Sequence, residues 1–149
     1  MILGLDTDVV VAWVMAGNPR HEMVHRLLER MVNERGTLLG LAPQVLHEFL
    51  HVATDSRRFE TPLPMDLAAR IARRLWDSQE VVHILPTPQS FRRTLDLMER
   101  FRLGRKRVLD TSLAATYESA GVKTIFTLNP ADFEVFSFLE TVKIPTAPA

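Results

Sequence analysis

The chain contains no cysteine. Disulfides, thiolate zinc sites and cysteine nucleophiles are excluded together, and the composition fits a reducing compartment. Charge of one sign is lacking too: 18 Lys and Arg balance 18 Asp and Glu, a formal net charge of +0. No overall field draws the protein to a polyanion or a membrane surface, so any nucleic-acid site has to be a local patch. Aromatic residues make up only 7% of the chain, too few for an extensive base-stacking platform. No apolar run reaches the roughly 18–20 residues of a membrane span. The start, MILGLDTDVVVAWVMAG, has no basic leader and is interrupted by Asp6 and Asp8, which argues against a secretory signal. These absences imply a soluble cytoplasmic protein with no membrane partner.

What is present is ordinary globular material. The 149 residues are 46% hydrophobic and 24% charged, enough to bury one continuous core, so a single domain over 1–149 is expected. Short apolar runs alternate with amphipathic stretches. ILGL (2–5), TLLGLA (37–42), VVHIL (81–85) and TIFTL (124–128) read as strands, and TVKI (141–144) as a last edge strand before a Pro-containing tail. Helices are predicted at 21–32, from Pro43 through Ala53, at 65–77, 89–101 and 110–120, with Gly36 and Gly121 as stops and 56–64 as a loop. This alternation predicts an α/β domain with a mainly parallel sheet, whose ligands bind beyond the carboxyl ends of the strands.

Acids recur at those ends. Asp6 follows the first strand, Glu48 lies on the helix after the second, Asp110 opens the helix DTSLAATYESAG, and Asp132 follows TIFTL. At 100° per residue Asp110 shares a face with Leu113, Ala114 and Tyr117, and Glu48 borders Val45, Phe49 and Val52. A carboxylate aimed at an apolar face needs a cation, hydrogen bonds or a metal. Each acid alone has a structural alternative: a helix cap for Asp6 and Asp110, a turn for Asp132, an arginine partner for Glu48. Four at one sheet edge repel unless a divalent cation neutralises them, and all-oxygen ligation favours Mg²⁺ or Mn²⁺. Such ions polarise a phosphodiester, lower the pKa of the attacking water and hold the leaving oxygen.

LDTDVV, APQVLHEFLHVAT and VLDTSLAATYESAGVKTIFTLNPADFEVF together resemble the PIN-domain family, specifically the VapC-type toxin ribonucleases. The similarity spans nearly the whole chain, and the last block is its most specific part. The resemblance implies an α/β/α three-layer sandwich and a Mg²⁺- or Mn²⁺-dependent endoribonuclease, the toxin of a type II toxin–antitoxin pair. It matches Asp6, Glu48, Asp110 and Asp132 to the catalytic, metal-binding acids, and Thr127 and Asn129 to a polar pair supporting the last of them. It also implies a cognate antitoxin and a homodimer, for which helices 21–32 and 65–77 carry apolar surface. Asp8 stands where many relatives carry Asn, and reads as a helix cap ahead of an outer-shell ligand.

Three other readings compete. HEFLH (47–51) has the form of a zinc-protease helix, with Glu48 as base. Helix geometry turns His47 and His51 away from the Val45/Phe49/Val52 face, toward solvent. DTDVV with Lys123 resembles a haloacid-dehalogenase-type phosphatase but lacks the further acidic pair. A PIN-like fold kept for RNA or protein binding without turnover is the third. Finally, RFRLGRKR (100–107) packs five basic residues ahead of Asp110, making Arg105, Lys106 and Arg107 candidate contacts for RNA phosphates.

Overall fold

The structure is a computed structural model describing residues 1–145. Residues 146–149, most of the expected tail, lie outside the described residues. The elements in order are β1 (Ile2–Leu5), α1 (Thr7–Val14), α2 (His21–Arg35), β2 (Leu38–Leu41), α3 (Pro43–Ala53), α4 (Met65–Trp76), β3 (Val81–His83), α5 (Pro88–Arg100), α6 (Val108–Ser119), β4 (Thr124–Phe126) and β5 (Glu140–Thr141). Two single-turn 3₁₀ segments, Arg105–Arg107 and Pro130–Asp132, precede α6 and follow β4.

The five strands form one sheet in the order β3-β2-β1-β4-β5, and every pairing is parallel. Helices flank it: α1 packs on α2 and α3, α3 on α4, and α5 on α6. The strand order reverses at β1, which has β2 on one side and β4 on the other. A crevice therefore opens beyond the carboxyl ends of β1 and β4, where doubly wound sheets hold ligands. Asp6 N–H donates to the Phe126 carbonyl at 3.0 Å and locks those two ends together.

Local punctuation follows the sequence. Gly36 at φ 63° ends α2, and Pro43 and Pro88 occupy the first turns of α3 and α5. Thr87 and Ser90 cap α5 reciprocally. Strand β1 is the whole of ILGL, β2, β3 and β4 are shorter than TLLGLA, VVHIL and TIFTL, and β5 overlaps the expected TVKI strand at Thr141 alone. Helix α6 begins at Val108, so Asp110 sits in its first turn rather than opening it. Asp6 is the N-cap of α1, its Oδ1 accepting from Thr7 N–H at 2.8 Å, which leaves Asp8 inside the helix and corrects its reading as a cap.

Helix α6 reaches the sheet through Tyr117, which is completely buried. Its hydroxyl donates to the Leu5 carbonyl, with the Gly40 carbonyl at 3.2 Å. The ring lies flat on Gly4, where an added Cβ would come within 2.8 Å of two ring carbons. Gly4→Ala must displace β1 or Tyr117, directly beneath the crevice. It is expected to cost about 1–3 kcal/mol, read as a lower Tm; an unchanged Tm would show that the contact is relieved at no cost.

No helix among the described residues is long and apolar enough to cross a membrane.

Candidate active site at the carboxyl ends of the strands

A cavity of about 510 Å³ opens at the strand reversal, and Asp6, Asp8, Glu48, Asp110 and Asp132 all line it. The topology does the gathering. Asp6 and Asp8 come from the β1–α1 junction, Glu48 from α3, Asp110 from the first turn of α6, and Asp132 from the 3₁₀ turn after β4.

Asp6 is 9% exposed and the most deeply set of the five. Its Oδ2 accepts from the Thr127 hydroxyl at 2.8 Å, and Thr127 in turn accepts from Asn129 N–H at 3.1 Å. Burial, reinforced by the charge of Asp8, nevertheless pushes the Asp6 carboxyl up to about 7. Asp8 Oδ2 accepts from Leu128 N–H at 3.1 Å and from Asn129 Nδ2 at 2.8 Å. Its Oδ1 is buried with no hydrogen-bond partner among the described residues, and burial raises this carboxyl as well. Asp8 thus clasps the β4 loop to α1, a contact across 120 residues of chain.

Thr127 and Asn129 were expected to support Asp132. Their side chains instead hold Asp6 and Asp8, and their one hydrogen bond with Asp132 is through backbone, Asp132 N–H donating to the Asn129 carbonyl at 3.0 Å. The reason is geometric: Thr127 leaves the end of β4 beside the end of β1, facing Asp6 across the strand pair.

Asp110 is partly buried, and burial followed by the charges of Asp132 and Glu48 raises it to about 6, against a lowering by Arg107. Glu48 is exposed on the rim, contrary to the apolar-face expectation, and its Oε2 accepts from the Thr7 hydroxyl at 2.9 Å. Thr7, between the two acids of DTD, is a positioning group that sequence reasoning missed. Asn18, Arg58 and Phe59 also line the cavity and were missed, because loop placement leaves no periodic signal.

The basic run is divided. Arg105 and Lys106 are exposed and do not line the cavity. Arg107 is half-buried and turns inward, donating from a terminal nitrogen to the Asp132 carbonyl. Its Nε–H is buried without a hydrogen-bond partner among the described residues. His47 and His51 are both exposed and outside the cavity, and only the second residue of HEFLH, Glu48, enters it. Lys123 precedes β4, at the opposite end of the sheet from Asp6, which removes the phosphatase arrangement.

Among the described residues none of the five acids lies within ion-pair distance of a Lys, Arg or His. Nor are three His, Cys, Asp or Glu side chains close enough together to form a finished metal site. The acids line one cavity and feel each other's charge: Asp8 and, more weakly, Asp110 raise Asp6, while Asp132, Glu48 and Asp8 raise Asp110. The donor set is nevertheless all oxygen, with one buried carboxylate oxygen unpartnered, and it fits a hard divalent cation in chemistry. Ligation requires the side chains to draw closer together.

No protein-family model matches the chain, and no curated protein sequence matches it. Solved structures do. VapC20 of Mycobacterium tuberculosis, a sarcin-ricin loop cleaving toxin, superposes with a TM-score of 0.60 at 20% identity over 84% of this chain and 87% of that one. A chain of VapBC2 from Rickettsia felis, solved bound to a DNA fragment from its promoter, gives 0.64 at 16% identity over 95% and 98%. A chain of VapBC-1 from nontypeable Haemophilus influenzae gives 0.62 at 18% over 95% and 97%. The all-parallel sheet, its strand order and its helices thus have the PIN-like fold of the VapC toxins.

Proposed function

We propose that the protein is a divalent-cation-dependent endoribonuclease, the toxin of a type II toxin–antitoxin pair acting in the cytoplasm. The observation that carries this reading is the convergence of Asp6, Asp8, Glu48, Asp110 and Asp132 on one cavity without an ion-pair partner. So many carboxylates are a poor place for a phosphodiester unless positive charge is supplied. Mg²⁺ or Mn²⁺ held by Asp6, Glu48, Asp110 and Asp132 would supply it, activating the attacking water and neutralising the leaving oxygen. The chain's own groups prepare the site. Thr127 and Thr7 N–H orient Asp6, Thr7 Oγ1 orients Glu48, and the Asp8 clasp and Arg107 fix the turn that carries Asp132. Exposed Arg105 and Lys106 are available to RNA phosphates beyond the cavity.

The fold shared with a sarcin-ricin loop cleaving toxin and with toxin–antitoxin complexes supports the same reading. A groove of about 520 Å³ between α1, α2 and α4, with Trp13, Leu28, Ile71 and Leu75 on its walls, offers the apolar surface an antitoxin segment needs. Phe91 and Leu95, 65% and 47% exposed and one turn apart on α5, offer a surface for a homodimer.

The test separates the acid from its histidine neighbours. Glu48→Gln is expected to abolish most Mg²⁺-dependent cleavage of RNA, whereas His47→Ala with His51→Ala leaves most of it. Equal loss in both variants contradicts the assignment. RNA bound but never cut in Mg²⁺ or Mn²⁺ assigns the fold to a non-catalytic binding module.

A further inference from the structure

Beside the acid cavity lies a second, of about 620 Å³, walled by the α1–α2 connection and the loop after α3. The two share Asn18, Arg58 and Phe59, so they are neighbouring compartments meeting at those three side chains. Both have the volume of a small-ligand site, roughly 300–1,000 Å³. Arg58 is the one Lys or Arg among the residues lining the acid cavity. Its side chain is 59% exposed and meets Asp55 through Nε at 3.6 Å, a long contact to a carboxylate that Arg57 also meets, at 3.3 Å. The guanidinium is therefore available to an incoming anion.

The loop presenting these groups is a folded turn. The Asp55 carbonyl accepts from Arg58 N–H at 3.1 Å and Phe59 N–H at 3.2 Å, and Asp55 Oδ1 accepts from Arg57 N–H at 2.9 Å. At the far end, Leu63 N–H donates to the Ala53 carbonyl at 2.9 Å and closes the loop on α3. A cation and a half-buried ring are thus held side by side at the passage between the compartments. A phosphate next to an unstacked base is the ligand that matches this pairing, since any base offers a face to an aromatic ring and Arg takes the phosphate.

We infer that the second cavity is a subsite for single-stranded RNA, seating the nucleotide next to the scissile phosphate, with Arg58 on its phosphate and Phe59 against its base. The inference rests on the ribonuclease reading and deepens it: the enzyme would engage strand on the α1–α2 side of the cut, and its preference among sequences would be set partly there.

The experiment uses the full-length chain carrying Asp110→Asn, which holds RNA uncut in Mg²⁺, and labelled random-sequence single-stranded RNA of about 4 and about 16 nucleotides. Fluorescence anisotropy is expected to show tighter binding of the longer RNA. Phe59→Leu, which keeps apolar volume but loses the flat ring, should weaken that binding about tenfold. Arg58→Ala, at an exposed position, should lower the salt slope of log K by about one. Longer-RNA affinity and salt slope unchanged in both variants overturn the subsite while leaving the ribonuclease reading intact. If Asp110→Asn binds RNA of neither length and the native chain cuts none, the ribonuclease reading and the subsite fall together.

Discussion

Asp110→Asn lowers the rate of metal-dependent RNA cleavage at least about 10²-fold, the scale seen when one electrostatic stabiliser is deleted, and does so without unfolding the protein. Both halves of this outcome follow from where the residue sits. Asp110 occupies the first turn of α6 but is not its cap, which is Arg107. Among the described residues no hydrogen bond of its carboxylate holds another element in place. Its apolar neighbours Leu113, Ala114 and Tyr117 stay buried whatever the charge. What the carboxylate does experience is burial and the charges of Asp132 and Glu48, which raise it to about 6. Asn keeps the shape and removes the charge, so the folded chain is relieved of repulsion while the cation loses a ligand. A purely structural acid would behave in the opposite way: loss of a helix cap costs roughly 1 kcal/mol and leaves chemistry untouched. Kinetics together with thermal unfolding of the one variant separates the two roles.

Without divalent cation, the protein loses stability as pH rises from about 4 to about 7, and Mg²⁺ restores it at the alkaline end only. Asp6 is the main source. Its carboxyl is raised from the ordinary 3.8 to about 7, first by burial and then by Asp8. A folded-state pKa above the unfolded one means that the native state holds a proton the unfolded chain has released. Stability contributed by the protonated form is present below pH 3.8 and gone above about 7. Ionising this carboxyl in the folded state therefore costs stability that protonation restores. Asp8 and Asp110 are shifted in the same direction and add to the slope. A cation neutralises the ionised cluster, so it binds and stabilises near pH 8, where the acids are charged, and does little near pH 5. Asp6→Asn should flatten the metal-free profile. Thermal unfolding in EDTA and in Mg²⁺ across this range is the measurement. Stability that rises with pH in EDTA, or a Mg²⁺ effect independent of pH, would refute the electrostatic description.

Much of the fold was legible because it is written in local patterns. ILGL, TLLGLA and TIFTL are runs too short for helices, and Pro43, Gly36 and Gly121 mark helix ends by backbone constraints that act wherever they occur. The strand-end acids were legible for the same reason: a parallel sheet brings its carboxyl ends together whatever the order of its strands. What escaped depends on that order. Thr127 serves Asp6 rather than Asp132 because β4 returns to lie against β1. No periodicity carries that information over 121 residues. Asp8 looked like a cap from its place at a helix start, yet Asp6 holds the cap and frees Asp8 to grip the β4 loop. Helix-face counting placed Glu48 beside the core, whereas the structure puts it on the exposed rim and ties it to Thr7. Arg58 and Phe59 stand in a loop whose course is set by the Asp55 turn and by closure of Leu63 on Ala53. The basic run ahead of Asp110, conspicuous in the sequence, sends Arg107 inward as a brace.

HEFLH shows the same distinction within five residues. Its zinc-protease form requires both histidines on the metal side of the helix, and the α3 surface directs them to solvent while Glu48 reaches the cavity. The motif leads to the cavity through its second residue alone, while Phe49 at its centre is buried in the core.

The most direct measurement is a Mn²⁺ titration followed by electron paramagnetic resonance, on the native chain and on a chain carrying Asp6→Asn and Asp110→Asn together, near pH 8. Saturable Mn²⁺ binding by the native chain, lost in the double variant along with RNA cleavage, is the expected result. RNA cleavage that persists in EDTA, or Mn²⁺ binding indifferent to both carboxylates, would contradict a cation-dependent site built from these acids.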